Sequence, residues 1–385
     1  MKIAIVGAGV AGVAAAFAAA RAGHAVSLLH AGAGSSALYS GAIDLALWEL
    51  APEHEHLTTE VLEFGKALGW AISSERSAKV ATREGLVRGA RGRDSALLDL
   101  LPLKGKRVGV VDLDRDDWDA RLLAAALNAS PWAAAAGARF DPIRVAGLQS
   151  GAERRISSYD FAKLHDSPER ASFFRAALTQ AADGVGAWLT GPWLGIEQHV
   201  AARLATELHL PIGETLSGPG GPAGARFELA RGKLLKRLGV EEQSTRVLAI
   251  TPAAGSWRLD LDGDGSSLSA DAVVLALGGV AAGGVRLKGS LAGSPDRGLA
   301  LSLAAPVVFE LDGRPFEVSS LFAVDFSASG LGALERLGVS VDESLGIRGA
   351  RGLYAAGDLV SGQPRTVLAA VIQGLRAAQA AVSRG

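Results

Sequence analysis

Blocks of apolar residues near the N-terminus predict a strand, a helix and a second strand in that order. Lys2–Val6 is a short run rich in β-branched residues, typical of a strand that is buried on both faces. Val13–Ala22 consists of strong helix formers, and Gly23 after it is a good C-terminal stop. Ala25–Leu29 is another apolar run of strand length. The pattern predicts a βαβ unit.

Similar blocks recur along the rest of the chain. Strands are predicted at Lys106–Val111, Thr245–Ile250, Ser256–Leu261, Ser267–Ala270, Asp271–Leu277 and from Gly352 onward. Helices are predicted at Trp118–Ala129, Phe227–Leu238 and Thr366–Val382. Loops are predicted at Pro131–Pro142, Gly191–Gly195 and Gly213–Gly224, of which the last is expected to cross between domains.

The N-terminal block is also an uncharged run of 18 residues, Ile3–Ala20, which has the length of a membrane anchor. Most of these residues are Ala and Gly, which drive membrane insertion poorly, and the run divides into a strand, a turn and a helix. We therefore expect a cytoplasmic protein that reaches a membrane, if at all, through a partner subunit.

Composition narrows the possible functions. The 385 residues suffice for two domains, and 39 basic against 40 acidic residues leave no charge excess to attract nucleic acid. The chain has no Cys, which excludes disulfides, thiolate metal sites, Cys-ligated iron–sulfur clusters and a Cys nucleophile within it. The seven His are scattered and predict no metal site. Redox chemistry in this chain would need a bound organic cofactor.

A glycine-rich turn joins the first strand to the first helix. Its residues have the GxGxxG pattern of a dinucleotide site: Gly7, Ala8, Gly9, Val10, Ala11 and Gly12. In this pattern the first Gly makes the tight turn, the second lets a pyrophosphate approach the backbone, and the third lets the helix pack on the strand. The pyrophosphate then lies at the positive end of the helix dipole.

The acidic residue expected at the end of the second strand is missing. His30 occupies its place, and no Asp or Glu precedes Asp44. A carboxylate close in sequence therefore cannot hold the ribose hydroxyls of an adenine dinucleotide. His30 can donate or accept one hydrogen bond there, or it is a surface histidine at a strand end.

Two later strands end in small residues and are expected to complete the site. The first ends at Ala276, Leu277 and Gly278, and the second ends at Gly357 and Asp358. Parallel strands that return to one sheet place their carboxyl ends at one crevice. Asp358 is suited to a ribityl hydroxyl or to a water bound to the pyrophosphate, or it is a turn residue.

The last helix offers a second anion site. Thr366 is predicted to cap it, and its free N–H groups are suited to negative charge on a reduced flavin ring. Arg365 would add a full positive charge beside them, or it is a plain surface arginine.

The predicted fold is α/β, with a Rossmann-like FAD/NAD(P)-binding domain that is discontinuous in sequence. This flavin domain is expected to comprise residues 1–45, 215–280 and 346–385. An inserted α+β cap or substrate domain would comprise residues 46–214 and 281–345. The motifs at Gly7, Gly278 and Gly357 must converge on one ligand for this arrangement to hold.

Six stretches in order resemble one family of flavoproteins, found in the anaerobic glycerol-3-phosphate dehydrogenase. They are Ser36–Leu45 with Ser40 and Gly41, Val108–Val110, Ser158–Asp166, Glu214–Arg226, Val273–Gly284 and Leu353–Gly362. Within that enzyme the resemblance is to the flavoprotein that accompanies the chain with the main dehydrogenase site. The missing acidic residue at His30 also agrees with that family.

The resemblance implies a flavin, usually FMN in that family, whereas the GxGxxG turn favours FAD. It also implies a complex in which a second flavoprotein subunit and a Cys-rich iron–sulfur subunit pass electrons to quinone, with glycerol 3-phosphate as the substrate. Ser36, Ser40 and Gly41 would then be near the cofactor.

Asp358 follows the general pattern of FAD enzymes more closely than that family. Two alternatives therefore stay open: a self-contained FAD-dependent oxidoreductase of another small hydroxy or amino substrate, and a flavin-free scaffold subunit. The catalytic base is not assigned, since His165 and His199 on predicted helices are candidates but are typical of core or surface histidines.

Overall fold

The computed structural model describes residues 1–45, 58–73, 77–263, 265–280, 282–288, 298–301, 309–311, 314–316 and 337–383. The helices in these ranges are α1 (Val10–Arg21), α2 (Thr59–Ala67), α3 (Ala120–Asn128), α4 (Pro131–Ala136), α5 (Ser158–Leu164), α6 (Pro168–Gln180), α7 (Val200–Leu208), α8 (Pro222–Arg237) and α9 (Val367–Ser383). The strands are β1 (Lys2–Val6), β2 (Ala25–His30), β3 (Ala42–Leu45), β4 (Trp70–Ile72), β5 (Ala78–Ala81), β6 (Val87–Asp94), β7 (Arg107–Asp112), β8 (Arg139–Arg144), β9 (Ala187–Thr190), β10 (Ile212–Glu214), β11 (Glu241–Ser244), β12 (Val247–Ala253), β13 (Ser256–Leu261), β14 (Ser267–Ala270), β15 (Ala272–Leu275), β16 (Val285–Lys288), β17 (Gly298–Leu301), β18 (Phe309–Leu311), β19 (Arg314–Phe316), β20 (Gly338–Val339) and β21 (Leu353–Ala355).

The chain divides into two units, of which the first is discontinuous. Unit 1 consists of residues 1–36 and 231–385, and unit 2 of residues 37–230. The predicted boundary at 214/215 differs, because α8 runs without a break from Pro222 to Arg237 and the division falls within it. The described part of 281–345 also belongs to unit 1, since Val285 and Val339 share a buried cluster with Val273.

The centre of unit 1 is a parallel sheet with the strand order β11-β2-β1-β15-β21. Its middle strands are apolar and buried on both faces, as the sequence predicted, so Ile5 pairs with both Leu28 and Val274. On one face, Val273 and other residues of the sheet pack against Trp257 of the antiparallel sheet β12-β13-β14. This is the expected Rossmann-like α/β arrangement, in which the later strand β15 lies directly beside β1.

Helices α1 and α9 of unit 1 cross in close contact. A Cβ placed on Gly374 of α9 would lie 2.2 Å from the carbonyl oxygen of Ala11 on α1. The two helices therefore meet backbone to backbone, which fixes the start of α1 relative to α9.

Unit 2 combines two sheets. A parallel sheet has the strand order β10-β9-β7-β8, and an antiparallel sheet has the order β3-β6-β4, with β5 also paired to β6. The parallel sheet and its helices enclose a large apolar cluster that includes Trp188 and Phe140. The inserted unit thus has an α/β sheet in addition to the predicted α+β elements.

The predicted loop at Pro131–Pro142 is wrong, because these residues form α4 and most of β8. Ser130 caps the helix by accepting a hydrogen bond from the Ala133 N–H, and Gly137 ends it in the left-handed conformation. Pro142 is tolerated because β8 is an edge strand of its sheet.

The predicted loop at Gly213–Gly224 is shorter than expected. It begins within β10 and ends where α8 starts at Pro222. In the described ranges no helix combines the length and the apolar character that a membrane span needs.

Candidate functional site

The turn between β1 and α1 is shaped by close backbone contacts. Gly7 has a φ of +115°, and a Cβ on it would lie 2.1 Å from the carbonyl oxygen of Ala276. A Cβ on Gly12 would lie 1.9 Å from the carbonyl oxygen of Gly7. Gly7 therefore makes the tight turn and Gly12 permits close packing of the helix, as the motif predicted.

Gly9 differs from these two glycines because it faces space. A Cβ on Gly9 would meet only the Ser36 Oγ within 4 Å, at 3.3 Å. Gly9 is the N-cap residue of α1 and supplies no side-chain cap, while the Val10 N–H donates to the Ser36 Oγ over 3.0 Å. The backbone at Gly9 is thus open to an approaching group at the positive end of a helix.

The ends of β15 and β21 meet this turn. The Ala276 N–H donates to the Val6 carbonyl oxygen over 2.8 Å, so the backbone after β15 continues along β1. A Cβ on Gly357 would lie 2.9 Å from the Cβ of Ala11 in the first turn of α1. The three strand ends therefore converge within unit 1, as the spacing of the motifs predicted.

Two glycines hold the later loops in shape. Gly278 has a φ of +74°, and a Cβ on it would lie 2.4 Å from the Cβ of Ala282. A Cβ on Gly284 would lie 2.4 Å from the carbonyl oxygen of Leu277. The N–H of Gly357, which also has a φ of +74°, donates to the buried Gln373 Oε1 over 2.8 Å. These loops are determined by the protein's own packing.

Asp358 and Arg365 are neighbours beside the loop after β15. A Cβ on Gly279 would lie 3.2 Å from the Cβ of Asp358 and 3.3 Å from the Arg365 Nη1. Burial raises the pKa of the Asp358 carboxyl, and the positive charge of Arg365 opposes that shift. The Arg365 Nη2 donates to the Leu337 carbonyl oxygen over 2.6 Å, so this side chain is partly engaged within the protein.

Thr366 caps α9 as the sequence predicted. Its Oγ1 accepts a hydrogen bond from the Ala369 N–H over 3.1 Å, and its carbonyl oxygen accepts one from the Ala370 N–H. Arg365 and Thr366 thus stand at the start of the last helix, with Asp358 beside them.

His30 has a carboxylate partner that sequence reasoning missed. Its Nε2 lies 3.1 Å from the Oε1 of Glu242, which belongs to β11. The Arg231 Nη1 lies 3.1 Å from the same oxygen. The residues Glu-Glu-Gln-Ser of β11 give no apolar signal, so neither the strand nor its position beside β2 was expected.

The predicted site residues Ser40 and Gly41 belong to unit 2. The Ser40 carbonyl oxygen accepts a hydrogen bond from the Ser217 N–H, and Gly41 packs against Leu97 with a φ of +104°. The Tyr39 hydroxyl donates to the Gly41 carbonyl oxygen over 2.7 Å. Burial, with the nearby Asp94 carboxylate, raises the pKa of Tyr39 well above its usual value. A role of Ser40 and Gly41 in cofactor binding stays a prediction.

Unit 2 also contains a buried ionic cluster. The Arg226 guanidinium donates to Asp94 Oδ2 over 3.0 Å, to Glu214 Oε2 over 2.6 Å and to the Gly195 carbonyl oxygen over 2.7 Å. The Leu194 N–H donates to the other oxygen of Glu214. Burial raises the pKa of Glu214, which Arg226 opposes. The cluster joins distant segments of unit 2.

The two histidines weighed as bases lie where structural histidines are expected. His165 is buried between Phe161 and Phe174, and burial lowers its pKa to about 4. Its Nδ1 donates to the Phe161 carbonyl oxygen over 2.9 Å. His199 is exposed at the start of α7. In the described residues no cluster of His, Asp and Glu is arranged to hold a metal ion.

Residues 2–84 match a family model described as FAD binding domain. The matched region contains β1, the glycine turn, α1 and β2. The match supports flavin as the cofactor, with FAD favoured. No curated protein matches the sequence.

Several solved structures are similar at low identity. FqzB is 11% identical, with a TM-score of 0.26, and the match covers 73% of this chain and 37% of FqzB. A thioredoxin reductase from T. acidophilum is 13% identical, with a TM-score of 0.24 and coverage of 99% and 97%. An oxidoreductase from Agrobacterium tumefaciens is 13% identical, with a TM-score of 0.26 and coverage of 100% and 98%. This chain spans little more than a third of the length of FqzB, and likenesses at such TM-scores carry no argument.

The residues of the turn fit a bound FAD. The open approach to Gly9 suits a pyrophosphate, and the first turn of α1 carries no acidic side chain that would repel it. Gly9 and the first turn of α1 would hold the pyrophosphate, and Asp358 would face a hydroxyl or a bound water.

Proposed function

We propose that this chain is the flavoprotein subunit of a glycerol-3-phosphate dehydrogenase complex that delivers electrons to quinone. The coarser statement, a flavin-dependent oxidoreductase, is supported by the family match over residues 2–84. The observation that carries the proposal is the convergence of three strand ends on the open backbone at Gly9. The choice of glycerol 3-phosphate rests on the six stretches that resemble the anaerobic glycerol-3-phosphate dehydrogenase.

The proposed reaction is the oxidation of a secondary alcohol to a ketone. Glycerol 3-phosphate loses two protons and two electrons and becomes dihydroxyacetone phosphate. FAD, when bound, supplies the acceptor for the electron pair. This chain's residues hold the cofactor at Gly9, and they offer positive charge at the start of α9 through Arg365 and the N–H groups beyond Thr366.

The electrons must leave through another chain. This sequence has no Cys, so a Cys-ligated iron–sulfur cluster has no ligands here. A Cys-rich iron–sulfur subunit is therefore the proposed electron acceptor, and quinone is its oxidant. A second flavoprotein subunit is the other partner implied by the resemblance.

The test is reduction of the full chain by its proposed substrate. The protein is purified with flavin bound, made anaerobic and mixed with glycerol 3-phosphate, while the visible absorbance of oxidised flavin is followed. We expect that absorbance to be lost with glycerol 3-phosphate and to be retained with glycerol, which lacks the phosphate. Free flavin under the same conditions controls for reduction that does not involve the protein.

Two outcomes would contradict this proposal and favour its alternatives. Bleaching by another small hydroxy or amino compound, but not by glycerol 3-phosphate, would indicate a self-contained oxidoreductase. A purified chain that binds no flavin would indicate a scaffold subunit.

A further inference from the structure

The strand β11 brings an acidic residue to the end of β2. The two strands are parallel neighbours, with Glu242 opposite Leu28 and Ser244 opposite His30. The carboxylate that β2 lacks in sequence is therefore present in space, supplied by a segment more than two hundred residues later.

The hydrogen bonds around His30 orient this carboxylate. The His30 Nδ1 accepts a hydrogen bond from the Gly32 N–H over 3.3 Å, which leaves the proton on Nε2. The Nε2–H then donates to Glu242 Oε1, 3.1 Å away. His30 thus acts as a donor that positions Glu242.

Arg231 places the same carboxylate beside the glycine turn. Its Nη1 contacts Glu242 Oε1 at 3.1 Å and lies 3.5 Å from the carbonyl oxygen of Ala8, within the GxGxxG motif. Both side chains therefore hold Oε1, and in the described part of the chain no hydrogen bond is formed to Glu242 Oε2. With 30% of its side chain exposed, Glu242 is accessible to a ligand.

We propose that Glu242 binds the adenosine ribose of FAD, with His30 and Arg231 as positioning residues. The ribose of a dinucleotide bound at such a turn lies at the end of the second strand, and its two hydroxyls are donors that match a carboxylate. FMN has no adenosine ribose, so this cluster selects FAD. The inference rests on the proposed flavin binding but is independent of glycerol 3-phosphate.

The test compares ligands that contain the ribose with one that lacks it. Dissociation constants of the flavin-stripped full chain are measured by calorimetry for FAD, ADP and FMN. Glu242→Gln keeps the shape of the side chain but loses the charge that accepts the hydroxyl hydrogen bonds. Loss of a hydrogen bond to a charged group corresponds to about a tenfold to hundredfold weakening. We expect that loss for FAD and ADP and no change for FMN.

Glu241→Gln is the matched control. Glu241 is adjacent on β11, but its carboxylate accepts hydrogen bonds from Ser27 and Gln243 and does not contact His30. We expect this variant to bind all three ligands as the wild type does. Circular dichroism and thermal unfolding without ligand show whether both variants fold alike.

Three results would overturn the inference. They are equal FAD affinity in Glu242→Gln and wild type, an equal loss for FMN and FAD, and a wild type that binds neither FAD nor ADP. A failure to oxidise glycerol 3-phosphate would contradict the proposed substrate and leave the assignment of Glu242 intact.

Discussion

At the scale of single residues, the three glycines of the turn have two different functions. A Cβ on Gly7 or Gly12 would overlap backbone atoms of the protein, whereas a Cβ on Gly9 would meet only a hydroxyl at 3.3 Å. Gly7 and Gly12 are thus needed for the protein to pack on itself. Gly9 is needed for the approach of a ligand, and the sequence motif correctly predicted the difference.

Gly9→Val should therefore abolish flavin binding while the chain still folds. The valine would occupy the space of the pyrophosphate and would press on Ser36, at a stability cost of about 1 kcal/mol if the Ser36–Val10 hydrogen bond is lost. Gly12→Val should instead destabilise the flavin-free protein by about 3 kcal/mol or more, because the added atoms overlap Gly7. Flavin content and denaturant unfolding measure both effects. Normal flavin content in Gly9→Val would refute the assignment.

Asp358 should make the stability of unit 1 depend on pH. Burial raises its pKa in the folded state, so the native structure favours the protonated carboxyl. The stability that this preference contributes is fully present at low pH and is lost as the pH rises through the folded pKa.

Asp358→Asn removes that titration. Relative to this variant, the flavin-free wild type should lose stability as the pH rises above the pKa of Asp358. Denaturant unfolding across the acidic range measures the difference. A difference that is constant with pH would contradict the raised pKa.

At the scale of elements, apolar patterning predicted the strands at the site because β1, β15 and β21 are buried on both faces. It failed where polarity hides an element. The strand β11 is a polar edge strand, so its pairing with β2, and with it the role of Glu242, could not be expected from the sequence. It failed again at β8, where Pro142 suggested a loop.

The crossing of α1 and α9 is the contact between elements that positions the turn. Gly374→Ala should destabilise the protein by about 1–3 kcal/mol, because the new Cβ would lie 2.2 Å from the Ala11 carbonyl oxygen. Gly232→Ala in α8 is the matched control, since nothing lies within 4 Å of its Cβ position. It should stabilise the protein by about 0.5–1 kcal/mol through helix propensity. Equal effects in denaturant unfolding would contradict the close crossing.

At the scale of the whole molecule, the chain leaves its first sheet and later returns to it. The return was predictable, because apolar strands with small terminal residues recur near the C-terminus. The boundaries were not, because α8 is continuous through the division at 230/231. The ionic cluster of unit 2 was also unpredictable, since Arg226 and Asp94 are 132 residues apart in sequence.

The central claim is that unit 1 forms one FAD site from three strand ends. The most direct measurement is the identity and amount of flavin released on denaturing the purified full-length chain, separated by chromatography. We predict FAD in an amount equimolar with the protein after saturation and removal of excess. No flavin, or FMN bound in preference to FAD, would contradict this claim.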